Sequence, residues 1–75
     1  MLTTGNQLKA ARALAGLKQA QLAAKAGVDT STISSMEGKG AKTLGRTGAD
    51  TIKAVMDALD SAGVEMLDGG CQLKR

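Results

Sequence analysis

The stretch "QAQLAAKAGVDTSTISSMEG", Gln19 to Gly38, decides the fold. Leu22, Ala23 and Ala26 recur at helical spacing, which predicts a helix from Gln19 to Ala26. Gly27 ends it, because a residue without a Cβ adopts positive φ at no steric cost. Asp29 is placed to cap a second helix from Thr30 to about Met36, with Ile33 and Met36 turned inward and Val28 stapling its start. Two short helices therefore meet across a tight turn. Ala23 faces the crossing, where a larger side chain would hold the second helix away. The outward face of that second helix carries Thr30, Ser31, Ser34 and Ser35, all short hydroxyls.

Working outward, Thr4 and Gln7 form a capping-box pattern ahead of Leu8, Ala11, Leu14 and Ala15, which predicts a first helix from Gly5 to Ala15. Gly16 stops that helix and Leu17 turns inward. From Gly38 to Ala49, "GKGAKTLGRTGA" has no sustained apolar period and reads as a basic, flexible loop. Asp50 is then expected to cap a fourth helix whose stripe is Ile52, Val55, Met56, Leu59 and Ala62. Gly63 suits the left-handed residue after it, and "VEMLDGGCQL" predicts two short strands around a tight turn. The fold class is all-α: four to five short helices with a small C-terminal β-hairpin over 64–74, in one domain over 1–75.

A chain of 75 residues without Phe, Trp or Tyr must build its core from Leu, Ile, Val, Met and many Ala. Such a core buries little area per residue, so a domain of this size gains from self-association. Met36, Met56 and Met66 read as core filler and Cys71 as a small apolar strand residue. The net charge of +3 is a mild bias towards a polyanionic partner that decides nothing alone. With one cysteine and no histidine, neither an internal disulfide nor a His-containing zinc site can form. "MLTTGNQLKA" lacks the apolar run of a signal peptide, and no stretch approaches the roughly 20 apolar residues of a membrane span, so a cytoplasmic location is expected. An enzyme is disfavoured: there is no histidine and no phosphate-binding glycine loop between a strand and a helix. No metal or cofactor is expected.

A helix-turn-helix needs two helices crossing closely around a turn of about three or four residues that often contains glycine. The quoted stretch meets each demand. It resembles the Cro/repressor-type, or XRE-like, helix-turn-helix family, with the likeness extending from about Leu8 to Leu67. "QAQLAAKAGV" matches helix two and its turn, and "TSTISSME" matches the recognition helix. Arg12 and Glu37 stand where many members have a buried Arg–Glu pair, and "ALDSAGVEMLDGGCQL" is similar to the ending of a subgroup of small bacterial regulators. The resemblance implies a lambda-repressor-like bundle that binds double-stranded DNA as a transcriptional regulator.

On that resemblance Thr30, Ser31, Ser34 and Ser35 are the base-contact candidates, with Ser34 also placed to meet sugar or phosphate. Lys18, Gln19, Thr32, Lys39, Lys42 and Arg46 are the phosphate-contact candidates, and Arg12 with Glu37 is a structural ion pair. Two departures from the family stand out. Lys18 occupies the position where Ser or Asn usually caps helix two. The recognition helix also has no Arg, Lys, Gln or Asn, so bidentate contacts to guanine or adenine are absent from it. Hydroxyls, DNA shape and dimer spacing must then share the readout. A repressor acting as a homodimer on a palindromic operator is the first expectation. A transcriptional activator, or an antitoxin-like or mobile-element regulator that binds a protein partner such as a toxin or activator, is the alternative. The alternating apolar positions of the tail suggest a dimer interface of Val64, Met66, Leu67, Cys71 and Leu73; the other possibility is that Val64, Met66, Cys71 and Leu73 fold back on helix four.

Overall fold

The structure is a computed structural model that describes residues 4–42, 44, 47–67 and 70–74. Thr4 Oγ1 accepts the Gln7 N–H at 3.2 Å while Gln7 Oε1 accepts the Thr4 N–H at 3.2 Å, and this reciprocal cap starts α1 (Gly5–Ala15). Gly16 ends the helix at φ 70°. There the Leu17 N–H bonds the Arg12 carbonyl at 3.2 Å, closing a left-handed cap that turns the chain into α2 (Gln19–Ala26). The same device recurs at Gly27, φ 71°, where the Val28 N–H bonds the Ala23 carbonyl at 3.0 Å. The chain then enters α3 (Thr30–Gly38), and α4 (Ala49–Ser61) follows. The antiparallel hairpin of β1 (Val64–Leu67) and β2 (Gly70–Leu73) comes last, with Val64 opposite Leu73 and Met66 opposite Cys71.

Leu8 and Ala11 of α1, Leu22 and Ala23 of α2, Ile33 and Met36 of α3, and Val55, Ala58 and Leu59 of α4 form one buried core with Leu44 and Val64. Small side chains at Ala11, Ala23 and Ala58 let helix backbones approach closely without aromatic filler. Met56, Met66 and Cys71 pack against its edge. The hairpin lies on α1 and α4, and Lys74 binds it to the end of α4 through an ion pair with Asp60 and an N–H bond to the Gly63 carbonyl at 2.8 Å. Among the described residues no helix is long and apolar enough to cross a membrane.

Several local expectations need correction. Helix α3 runs two residues past Met36, to Gly38, and Asp29 occupies its N-cap position without a side-chain cap bond. Helix α4 starts at Ala49 with Gly48 as N-cap, so Asp50 sits in the first turn, where its charge still favours the positive end of the helix dipole. Lys18 has no acceptor with which to cap α2; Gln21 Oε1 instead accepts the Lys18 N–H at 2.8 Å. The loop between α3 and α4 is not free along its length, because Leu44 is 2% exposed and joins the core.

Candidate nucleic-acid interface

Burial of Ile33 and Met36 fixes which way α3 faces. With those two residues inward, Thr30, Ser31, Ser34 and Ser35 are exposed and Thr32 is half-buried. An open cleft of about 420 Å³ runs along this face, lined by Ser31, Thr32, Ser35, Met36, Lys39 and Thr47. It brings α3 hydroxyls beside an ammonium group at the carboxyl end of the helix and a hydroxyl from the following loop. All of these are hydrogen-bond donors to an anion. Thr47 escaped the sequence reading, because a single threonine in a glycine-rich loop carries no periodic signal.

Cations flank the hydroxyl face. Lys18 is exposed at the start of α2, Lys39 is half-buried at the end of α3, and Lys42 is exposed in the loop. Among the described residues none of these three has a carboxylate partner, whereas Lys53 and Lys74 are paired with Asp57 and Asp60. Arg46 lies outside the described residues. Lys9 of α1 and Lys25 of α2 also have no carboxylate partner among the described residues, so the unpaired ammonium groups lie on α1, α2, the end of α3 and the loop after it, while the paired ones belong to α4 and the hairpin end.

Arg12 braces this surface from beneath. Its Nε donates to Glu37 Oε2 at 2.7 Å, its Nη2 to Glu37 Oε1 at 3.0 Å, and its Nη1 to the Leu17 carbonyl at 3.0 Å. One guanidinium thus ties α1 to the end of α3 and to the turn before α2. The hydrogen bonds that Arg12 donates to Glu37 hold its pKa above the ordinary value, against an opposing effect of burial. The side chains are 19% and 6% exposed, so desolvation offsets much of their attraction, and what the pair contributes most clearly is geometry. Gln19, placed at the first turn of α2, donates from Nε2 to Glu37 Oε1 at 3.3 Å and so belongs to the same network.

A helix-turn-helix family model matches residues 8–62, from the first core leucine of α1 to the end of α4. The chain belongs to the Cro/XRE-type helix-turn-helix family. No curated protein matches it. As a member of this family it is a DNA-binding transcriptional regulator. The match stops short of β1 and β2, so the hairpin is an addition to the family's common part.

Of the tail residues read as a dimer interface, this helix-turn-helix protein buries Val64 in its own core at 1% exposure, packs Met66 and Cys71 against that core, and leaves Leu73 at 53% exposure. The side chain of Leu67 lies outside the described residues.

Proposed function

We propose that this protein is a repressor that binds a palindromic operator as a homodimer, in the cytoplasm and at the nucleoid. The observation that carries the reading is the exposed hydroxyl face of α3 with Lys39 and Lys42, both without a carboxylate partner among the described residues, at its carboxyl end. Thr30, Ser31, Ser34 and Ser35 meet base edges in the major groove, where a hydroxyl can donate or accept and the threonine methyl can pack on a thymine methyl. Lys18, Gln19, Thr32, Lys39, Lys42 and Arg46 meet phosphates, which orient the domain without reading sequence.

Single hydroxyls discriminate less than bidentate pairs, so one recognition helix of this composition gives weak selectivity. Two copies about one helical turn of DNA apart double the contacts and add a spacing requirement. Since Val64 is enclosed in its own chain, the dimer contact falls to what the hairpin leaves open, Leu73 and the accessible parts of Met66 and Cys71. Repression needs only occupancy of the operator, for which the helical bundle suffices.

Selection of bound duplexes from a randomised pool tests this reading. The expected product is an inverted repeat whose half-sites lie about 10 base pairs apart, centre to centre. Enrichment of an isolated half-site would remove the dimer, and a pool that never enriches would remove sequence-specific binding.

A further inference from the structure

We infer that Glu37 is a positioning residue for DNA: it holds the Gln19 side-chain amide in place to donate to a backbone phosphate. This rests on the reading above that Gln19 meets a phosphate. Glu37 is the penultimate residue of α3 and Gln19 the first of α2, so the bond between them crosses the motif and is unrelated to the turn that joins the two helices.

An ionised carboxylate only accepts hydrogen bonds, so the nitrogen of the Gln19 amide must be the atom that faces it. The amide nitrogen carries two hydrogens about 120° apart in one plane; with one bound to Glu37 Oε1 at 3.3 Å, the other remains for a second acceptor. A glutamine at an exposed helix start otherwise samples many rotamers, and each contact it makes must first offset that freedom. Here the search is finished before DNA arrives.

A carboxylate behind a phosphate contact would ordinarily repel the DNA. Arg12 removes the difficulty. Its two bonds to Glu37, at 2.7 and 3.0 Å, leave the Arg12–Glu37 pair with no net charge, and both carboxylate oxygens are occupied. Gln19 is therefore supported by a neutral, nearly enclosed platform, with Glu37 at 6% exposure. The ion pair contributes to the DNA contact through Gln19 and does more than fasten α1 to α3.

The test is a double-mutant cycle over wild type, Gln19→Ala, Glu37→Gln and the double variant, each titrated onto one duplex across a range of salt, with thermal melting in parallel. In Glu37→Gln the amide oxygen keeps the shortest bond, from Arg12 Nε, so the new amide nitrogen takes the place of Oε1, where it faces the donors Arg12 Nη2 and Gln19 Nε2, and Gln19 is released. Both single variants should bind about tenfold more weakly, the order expected for one hydrogen bond to a charged group, and the double variant no more weakly than either. Losses that multiply in the double variant, or wild-type affinity in Gln19→Ala, would overturn the inference while leaving salt-dependent DNA binding intact. Wild-type binding without salt dependence would remove the DNA-binding reading and this inference together. Because Glu37→Gln could lose its fold, the side-chain amide of Gln19 is also followed by NMR in the wild-type protein. One of its two protons should be shifted by the carboxylate in the free state and the other should move on DNA binding; a pair typical of a solvent-exposed glutamine would overturn the inference.

Discussion

Gly5→Ala tests the placement of α3 from a residue that never touches it through a side chain. A Cβ built on Gly5 would lie 2.3 Å from the Met36 carbonyl oxygen, and 3.0 Å from both the Glu37 carbonyl oxygen and the Gly40 nitrogen. Carbon and oxygen meet comfortably at about 3.3 Å, so the shortest contact needs roughly 1 Å of relief (3.3 minus 2.3). All three obstructing atoms are backbone, so no side-chain rotation provides it; α1 and the end of α3 must separate. Separation also strains the bond from the Asn6 N–H to the Gly40 carbonyl, 2.8 Å long. Overpacking of this kind costs about 1–3 kcal/mol and the strained bond about 1 more. Alanine's helix propensity returns at most about 1 kcal/mol. With that return in full the net is a destabilisation of about 1–3 kcal/mol, or roughly 4–24 °C in Tm for a domain of this size. Gly38→Ala is the matched control, since a Cβ there meets nothing within 4 Å, and it should raise stability by about 0.5–1 kcal/mol. Thermal denaturation followed by circular dichroism measures both. A Gly5→Ala variant melting at or above wild type would refute the close approach of α1 to α3.

Leu44→Ala should cost about 2–5 kcal/mol in chemical denaturation, because the side chain is buried in the core; a loss within about 0.5 kcal/mol would mean the loop is not anchored. Lys39→Ala and Lys42→Ala should each weaken binding to all duplexes alike and lower the salt slope by about one, while Ser31→Ala and Ser35→Ala should change preference at particular base pairs. If the two sets behaved identically across operator variants, the division between positioning and readout would be wrong. Arg12→Ala should destabilise by about 3 kcal/mol by leaving the Glu37 carboxylate enclosed and unpaired. Since the Arg12 pKa is raised in the folded state, its contribution is complete at neutral pH and fades only as pH climbs through that raised value; an Arg12-dependent fall in melting temperature at moderately alkaline pH would contradict this. Leu73→Asp should yield a folded monomer by light scattering, and an unchanged dimer would move the interface away from the hairpin.

The helix-turn-helix was readable because its constraints are local. Gly16 and Gly27 each sit where the chain needs positive φ, and the Thr4 and Gln7 side chains cap within three residues of each other. The start of α4 was misplaced because Gly48 and Asp50 are both acceptable near a helix amino end, one as a cap and one as a first-turn charge. Leu44 was missed for a different reason: a lone leucine among glycines and cations has no period, although it is the single large apolar residue between Gly38 and Ala49. The family resemblance pointed to Arg12 and Glu37 as partners, but the bond from Gln19 to the same carboxylate depends on how α2 and α3 lie against each other. Alternation in the tail revealed one apolar strand face without revealing what covers it. The structure covers Val64 with the chain's own core and leaves Leu73 open.

The central claim is that α3 and its flanking lysines form a surface for duplex DNA, and affinity as a function of salt tests it most directly. Fluorescence anisotropy on a labelled duplex, repeated from low to moderately high salt, gives the slope of log affinity against log salt. Four cationic contacts, Lys18, Lys39, Lys42 and Arg46, at about −0.9 each, predict a slope of about −3.6 per protomer. A slope near zero, or affinity for the duplex no greater than for a neutral polymer, would contradict the account.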